Sequence, residues 1–148
     1  MDREREYWRA SLFLVRRIGK HIGETESIAR EASERYGLSY GVALALARAL
    51  EELAEEFPGK SRSWFARAAT RVLLGVRRAR ENCWLVKGSP LLGDSYPVYA
   101  VSYHPEEREY YCTCSSHFGG IKRKMEICTH VAAVIVYKRL SRSLSEFT

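Results

Sequence analysis

The chain of 148 residues contains no glutamine and a single asparagine, Asn82. A scarcity of heat-labile amides beside abundant Arg and Glu predicts a thermophilic source. Long apolar runs are also missing: none reaches the ~18 residues that a membrane-spanning helix needs. The N-terminus, Met1-Asp2-Arg3-Glu4-Arg5-Glu6, has no apolar stretch behind a basic start, so it does not read as a secretory signal. The expectation is an intracellular, cytoplasmic protein with no membrane partner. Cysteine is sparse, with four residues, and three of them fall in one short motif. That clustering disfavours a disulfide framework, and a reducing compartment would leave the thiols available to a metal. There is no P-loop and no glycine-rich phosphate cradle. The acidic residues sit on helix faces without a pairing scheme, so a metal-dependent nuclease is the weaker reading and a non-enzymatic protein the expected one.

What is present divides the chain in two. A length of 148 residues suffices for a sizeable core. Residues 1–80 read as a helical region of about four helices. The first spans about 3–19, with Trp8, Leu12, Val15 and Ile22 at helical spacing, and the second about 25–36. The third covers about 40–57, with Val42, Leu46, Ala49, Leu50, Leu53 and Phe57 on one face; Pro58-Gly59 stops it. A fourth runs from a Ser61 or Ser63 cap to about Arg80, with Phe65, Ala68, Val72, Leu73 and Val76 inward. The pattern then changes. Cys83-Trp84-Leu85-Val86, residues 95–103 and Arg108 to Cys114 read as strands, with Pro97 at a strand start and His104-Pro105-Glu106-Glu107 as a turn. From Cys128 onward, Val131, Val134, Ile135 and Lys138 return to helical spacing, as far as about Leu140. The expected fold class is α+β. The helical region precedes a small antiparallel sheet, stabilised by zinc, and a C-terminal helix over 83–140; 141–148 form a loosely held tail.

The C-terminal half carries the one motif with definite chemistry: Cys112-Thr113-Cys114, thirteen residues, then Cys128-Thr129-His130. Three thiolates and one imidazole complete a tetrahedral Zn2+ shell and leave no open position for substrate or activated water. Alternate residues of a strand point the same way, so a strand ending at Cys114 would aim both thiols at one point. Cys128 and His130 would sit at the start of a helix, where free N–H groups favour thiolate over thiol. His117 is a rival for the fourth position, placed below His130. Cys83 reads as a small hydrophobe of a strand, and His104 as a surface residue of a turn.

A C-x-C…C-x-H motif that follows two or three strands and precedes an apolar helix resembles the SWIM zinc-binding domain. The match covers about residues 83–140. It includes Trp84 and Val86, Tyr99-Ala100-Val101, the Cys112 and Cys114 pair, and Cys128-Thr129-His130-Val131-Ala132-Ala133-Val134. The resemblance implies Cys112, Cys114, Cys128 and His130 as ligands and a role in binding DNA or protein. Such domains occur in bacteria, archaea and eukaryotes: beside helicases, in transposase-related proteins, and in small recombination factors that partner RecA-type recombinase paralogues. With its small size and no helicase or nuclease motif, the chain looks most like the last branch, as known from archaea. The function this implies is a non-enzymatic accessory role in DNA recombination or repair. The partners would be single- or double-stranded DNA, a RecA-type recombinase paralogue, or both. A stand-alone nucleic-acid-binding or regulatory protein is the alternative.

A net charge of +6 suits such an acidic partner. Candidate phosphate contacts are Lys122, Arg123 and Lys124 in the zinc loop, and Arg67, Arg71 and Arg78 along one face of the fourth helix with Arg77 and Arg80 nearby. Arg5, Arg9 and Arg16 make a further stripe on the first helix. Tyr96, Tyr99, Tyr103, Tyr110 and Tyr111 could stack on bases, though sheet packing explains most of them better. Ile28 to Leu50 could be taken for a helix-turn-helix, but its second helix is apolar and then acidic where a reading helix needs Arg, Asn or Gln.

Overall fold

In the computed structural model, residues 2–20, 24–116 and 127–145 are described. The expected α+β architecture is present, with helices first, then an antiparallel sheet, then a last helix. The opening helices are α1 (Arg3–Lys20), α2 (Thr25–Tyr36), α3 (Tyr40–Glu56) and α4 (Arg62–Leu74). Serine fixes two of the starts. Ser39 and Ser61 accept, at 3.2 Å, from the N–H groups of Val42 and Trp64, which no carbonyl within the helix could satisfy. Residues Ala43–Ala47 of α3 are all buried, so this helix is enclosed on several sides. Its alanines let neighbouring backbones approach closely, while Leu46, Leu50 and Leu53 fill the spaces between. In α1 the fully buried face is Ala10, Ser11, Phe13, Leu14 and Val15. The predicted stripe keeps Val15; Trp8 and Leu12 flank it half-buried, and Ile22 lies outside the described residues.

The fourth helix is shorter than expected. It stops at Leu74, and residues predicted to continue it to Arg80 form strand β1 (Val76–Arg80). The breaker is Gly75, at φ +147°, a conformation that side chains with a Cβ rarely adopt. Glu81 and Asn82 then turn the chain, with Asn82 at φ +56°, and β1 pairs antiparallel with β2 (Cys83–Lys87). β2 pairs with β3 (Val98–His104), and β3 with β4 (Glu109–Cys112), giving a four-stranded sheet in sequence order. Pro97 precedes β3, as its missing N–H requires. The chain leaves β4 through a helical turn, α5 (Thr113–Ser116).

The last helix, α6 (Thr129–Ser145), holds the two parts together. Val131 and Val134 pack with Trp84, Val86, Tyr99, Val101 and Cys112 on one face of the sheet. Ala132, Val136 and Leu140, at intervals of four, join the core of α1–α4. The helix is therefore apolar on two sides. Residues 141–145, expected as part of a loose tail, continue it, and Leu144 packs on the helical core. Among the described residues, no helix is long and apolar enough to cross a membrane.

Candidate metal centre

Cys112 ends β4, Cys114 lies in α5, Cys128 immediately precedes α6, and His130 lies in its first turn. The topology brings all four together: one potential ligand atom from each lies within 4.8 Å of the others, and this Cys3His group can hold a metal ion. One detail of the expected geometry is corrected. Cys114 is not on a strand, because the chain turns helical at Thr113. That turn points the Cys114 N–H at Cys112 Sγ, 3.5 Å away, while the exposed Thr113 accepts from the Ala100 N–H at 3.1 Å. The rival His117 lies outside the described residues.

The thiols polarise one another. Hydrogen bonds from Cys112 and Cys114, set against burial and assisted by His130 and the Val131 N–H, hold Cys128 far below the ordinary thiol range. Hydrogen bonds with Cys114 and Cys128, burial and the Cys128 charge push Cys112 far above it. For Cys114 the hydrogen bond with Cys112 lowers the value, but that with Cys128, burial and the Cys128 charge outweigh it and push it up to about 11. A divalent ion would displace the thiol protons and take over their role.

Around the candidate ligands is a buried, hydrogen-bonded shell. His130 Nε2 lies 3.1 Å from Asp94 Oδ1, while Nδ1 is buried with no hydrogen-bond partner. A buried nitrogen of this kind needs a partner, and a metal bound among the thiolates would be one. The Tyr99 ring stacks on the imidazole with centroids 4.0 Å apart. Asp94 accepts from the Ser89 N–H at 2.8 Å and from both terminal nitrogens of Arg71. Burial works against the Asp94 charge, but Arg71, the Ser89 N–H and His130 prevail and hold its carboxyl below the usual value. Trp64 of α4 donates its indole N–H to the Ile127 carbonyl at 3.1 Å, fixing the chain just before Cys128.

The candidate nucleic-acid contacts fare differently. Lys122, Arg123 and Lys124 lie outside the described residues. Arg71 does not face solvent: its side chain is 2% exposed, paired with Asp94, and its Nε donates to Thr129 Oγ1 at 3.0 Å. Arg67 is exposed but gives one N–H to the Leu92 carbonyl. Arg77, Arg78 and Arg80 are exposed on β1, an edge strand, so the single helical stripe expected through Arg67, Arg71 and Arg78 does not exist. Arg77 partners Leu85 and Arg80 partners Cys83, whereas Arg78 partners Trp84. The register shift between Arg78 and Arg80 thus puts Arg77 and Arg80 on the sheet face turned away from α6. Lys87, which the sequence reading passed over, is exposed on that same face. The tyrosines serve mainly as packing: Tyr103 lies tilted against Tyr110 and Tyr111 edge-on to His104, with Tyr96 still exposed. In the first-helix stripe, Arg5 pairs with Asp2, and Arg9 and Arg16 are exposed. Cys83 is half-buried in β2.

Compared with protein-family models, with curated proteins and with solved structures, the chain finds no match in any of the three.

Proposed function

We propose that the chain is a zinc-dependent binding module, non-enzymatic, that serves as an accessory factor in DNA recombination or repair. The convergence of Cys112, Cys114, Cys128 and His130 carries this reading. Three thiolates and an imidazole suit Zn2+ by ligand softness and by number, and four protein ligands make a closed, structural site. The SWIM-like pattern of residues 83–140 favours a role in binding DNA, a RecA-type recombinase paralogue, or both. Charge favours the DNA part. Arg77 and Arg80, with Lys87, form a basic strip on the open face of the sheet, and among the described residues neither arginine has an ion-pair partner. An edge strand of arginines also discourages strand-to-strand aggregation.

The full chain, purified without added metal, should contain one zinc per molecule by elemental analysis. Replacing Arg77 and Arg80 by Ala should weaken DNA binding and flatten its salt dependence by about two counterions' worth of slope. A native-lysate pull-down that recovers neither DNA nor a RecA-type protein would count against the recombination role. If DNA alone is recovered, the stand-alone nucleic-acid-binding reading, which the unpaired arginines also favour, takes its place.

A further inference from the structure

We propose that Arg71 and Asp94 are positioning residues of the metal centre, which orient His130 so that it binds through Nδ1 and which make metal binding and docking of the helical region one event. The proposal rests on the zinc reading above. A carboxylate only accepts hydrogen bonds, so His130 Nε2 must carry the proton it shares with Asp94 Oδ1 at 3.1 Å. The lone pair is then left on Nδ1, the buried and unpartnered nitrogen. Metal-binding histidines are generally set in this manner by a second hydrogen bond. Here the carboxylate is itself immobilised. The Ser89 N–H and two Arg71 nitrogens donate to it, so neither of its oxygens is left to water.

Arg71 also reaches the centre from the other side. Its Nε donates to Thr129 Oγ1, the residue between ligands Cys128 and His130. All five donors of a guanidinium are difficult to satisfy in a core; three are matched here by groups that touch the metal site. Charge gives a second reason for burying it. Three thiolates with a divalent ion carry a net charge of −1, and Asp94 brings the cluster to −2. The Arg71 side chain, 2% exposed, returns it to −1. Removing one partner from such a buried set strands the others.

The link to the helices is direct. Arg71 belongs to α4. The segment bearing Asp94 is tied to α1 through the Ser89 hydroxyl and Glu4, 3.2 Å apart, and to α4 through Arg67 and the Leu92 carbonyl. Metal that orders His130 therefore orders Asp94, and Asp94 holds α4.

Long-range 1H–15N NMR of the zinc-loaded wild type reads the coordinating nitrogen directly, without any variant. We expect Nδ1 coordination with a protonated Nε2; coordination through Nε2 overturns the proposal. Competition with a chromophoric zinc chelator should show Asp94→Asn and Arg71→Met binding zinc ~10–100-fold more weakly. Asp94→Asn within twofold of wild type overturns it as well. Adding zinc to the metal-free wild type should slow amide exchange in α4, and Asp94→Asn should lose that effect; slowing confined to residues 98–145 overturns the coupling. A wild-type chain that holds no zinc defeats both this proposal and the zinc reading. A chain that holds zinc but fails these tests defeats the proposal alone.

Discussion

The molecule has two cores of very different size. That of α1–α4 is large, and it is closed by Ala132, Val136 and Leu140 of α6. Among the described residues, that of the sheet has seven buried members, Trp84, Val86, Tyr99, Val101, Cys112, Val131 and Val134, one of them a metal-ligand candidate. Burial of apolar area contributes about 25 cal/mol per Å2, and ordering the backbone opposes it residue by residue. A large core meets that cost by packing alone. A small one needs a staple, and a metal ion held by the Cys3His group would tie β4, α5 and α6 at one point. The lesson is that stability has two sources here, separated by one helix.

Removing the metal should distinguish them most sharply. A structural zinc site contributes ~10–16 kcal/mol, against ~5–15 kcal/mol for the net stability of a whole domain. Chelation, or Cys128→Ala, should abolish the near-UV circular dichroism of the packed aromatic rings Trp84, Tyr99, Tyr103 and Tyr110 while most of the far-UV helical signal persists. If near-UV and far-UV signals survive chelation together, the division between the cores is wrong. A cavity in the large core should do the reverse. Leu46→Ala removes a side chain with no exposed surface, and denaturant unfolding should show a loss of ~2–5 kcal/mol. Zinc content should be unchanged.

The junction between the cores offers two smaller tests. Gly75→Ala forces a Cβ into a backbone at φ +147° and should cost ~1–3 kcal/mol. The amides of β1 should exchange faster while those of α3 do not; equal acceleration in both would erase the boundary. Ser61→Ala removes the cap of α4 and should cost ~1 kcal/mol, measurable as a small drop in the denaturation midpoint at unchanged slope.

Much of this organisation is legible in the sequence. The first three helices follow from apolar spacing and from strong stops such as Pro58-Gly59. The four candidate ligands follow from two close pairs, a pattern that ordinary packing seldom needs. Misread residues are those where a distant partner decides. Val76 to Arg80 is rich in good helix formers and continues the spacing of α4, so it takes the break at Gly75 together with pairing to β2 to make it a strand. Thr113 and Cys114 follow a good strand, yet the chain turns there. Arg71 looks like part of a basic stripe because its partner is distant in sequence. Asp94, one of only two aspartates in the chain, belongs to no recognisable motif. A lone acid in a loop gives no local sign that it will meet a histidine 36 positions away.

The placement of α6 also bears on how the chain folds. A bundle built from successive helices closes through local contacts and tends to fold fast. Here the bundle of α1–α4 is completed by a helix that follows the whole sheet in sequence. Its last core layer must await a long loop closure, whose entropy grows with the chain enclosed. Refolding should therefore be slower than the helical content suggests, with early helix formation and late burial of Ala132, Val136 and Leu140. During synthesis, the apolar face of α4 against which α6 packs stays uncovered until residue 140 has left the ribosome.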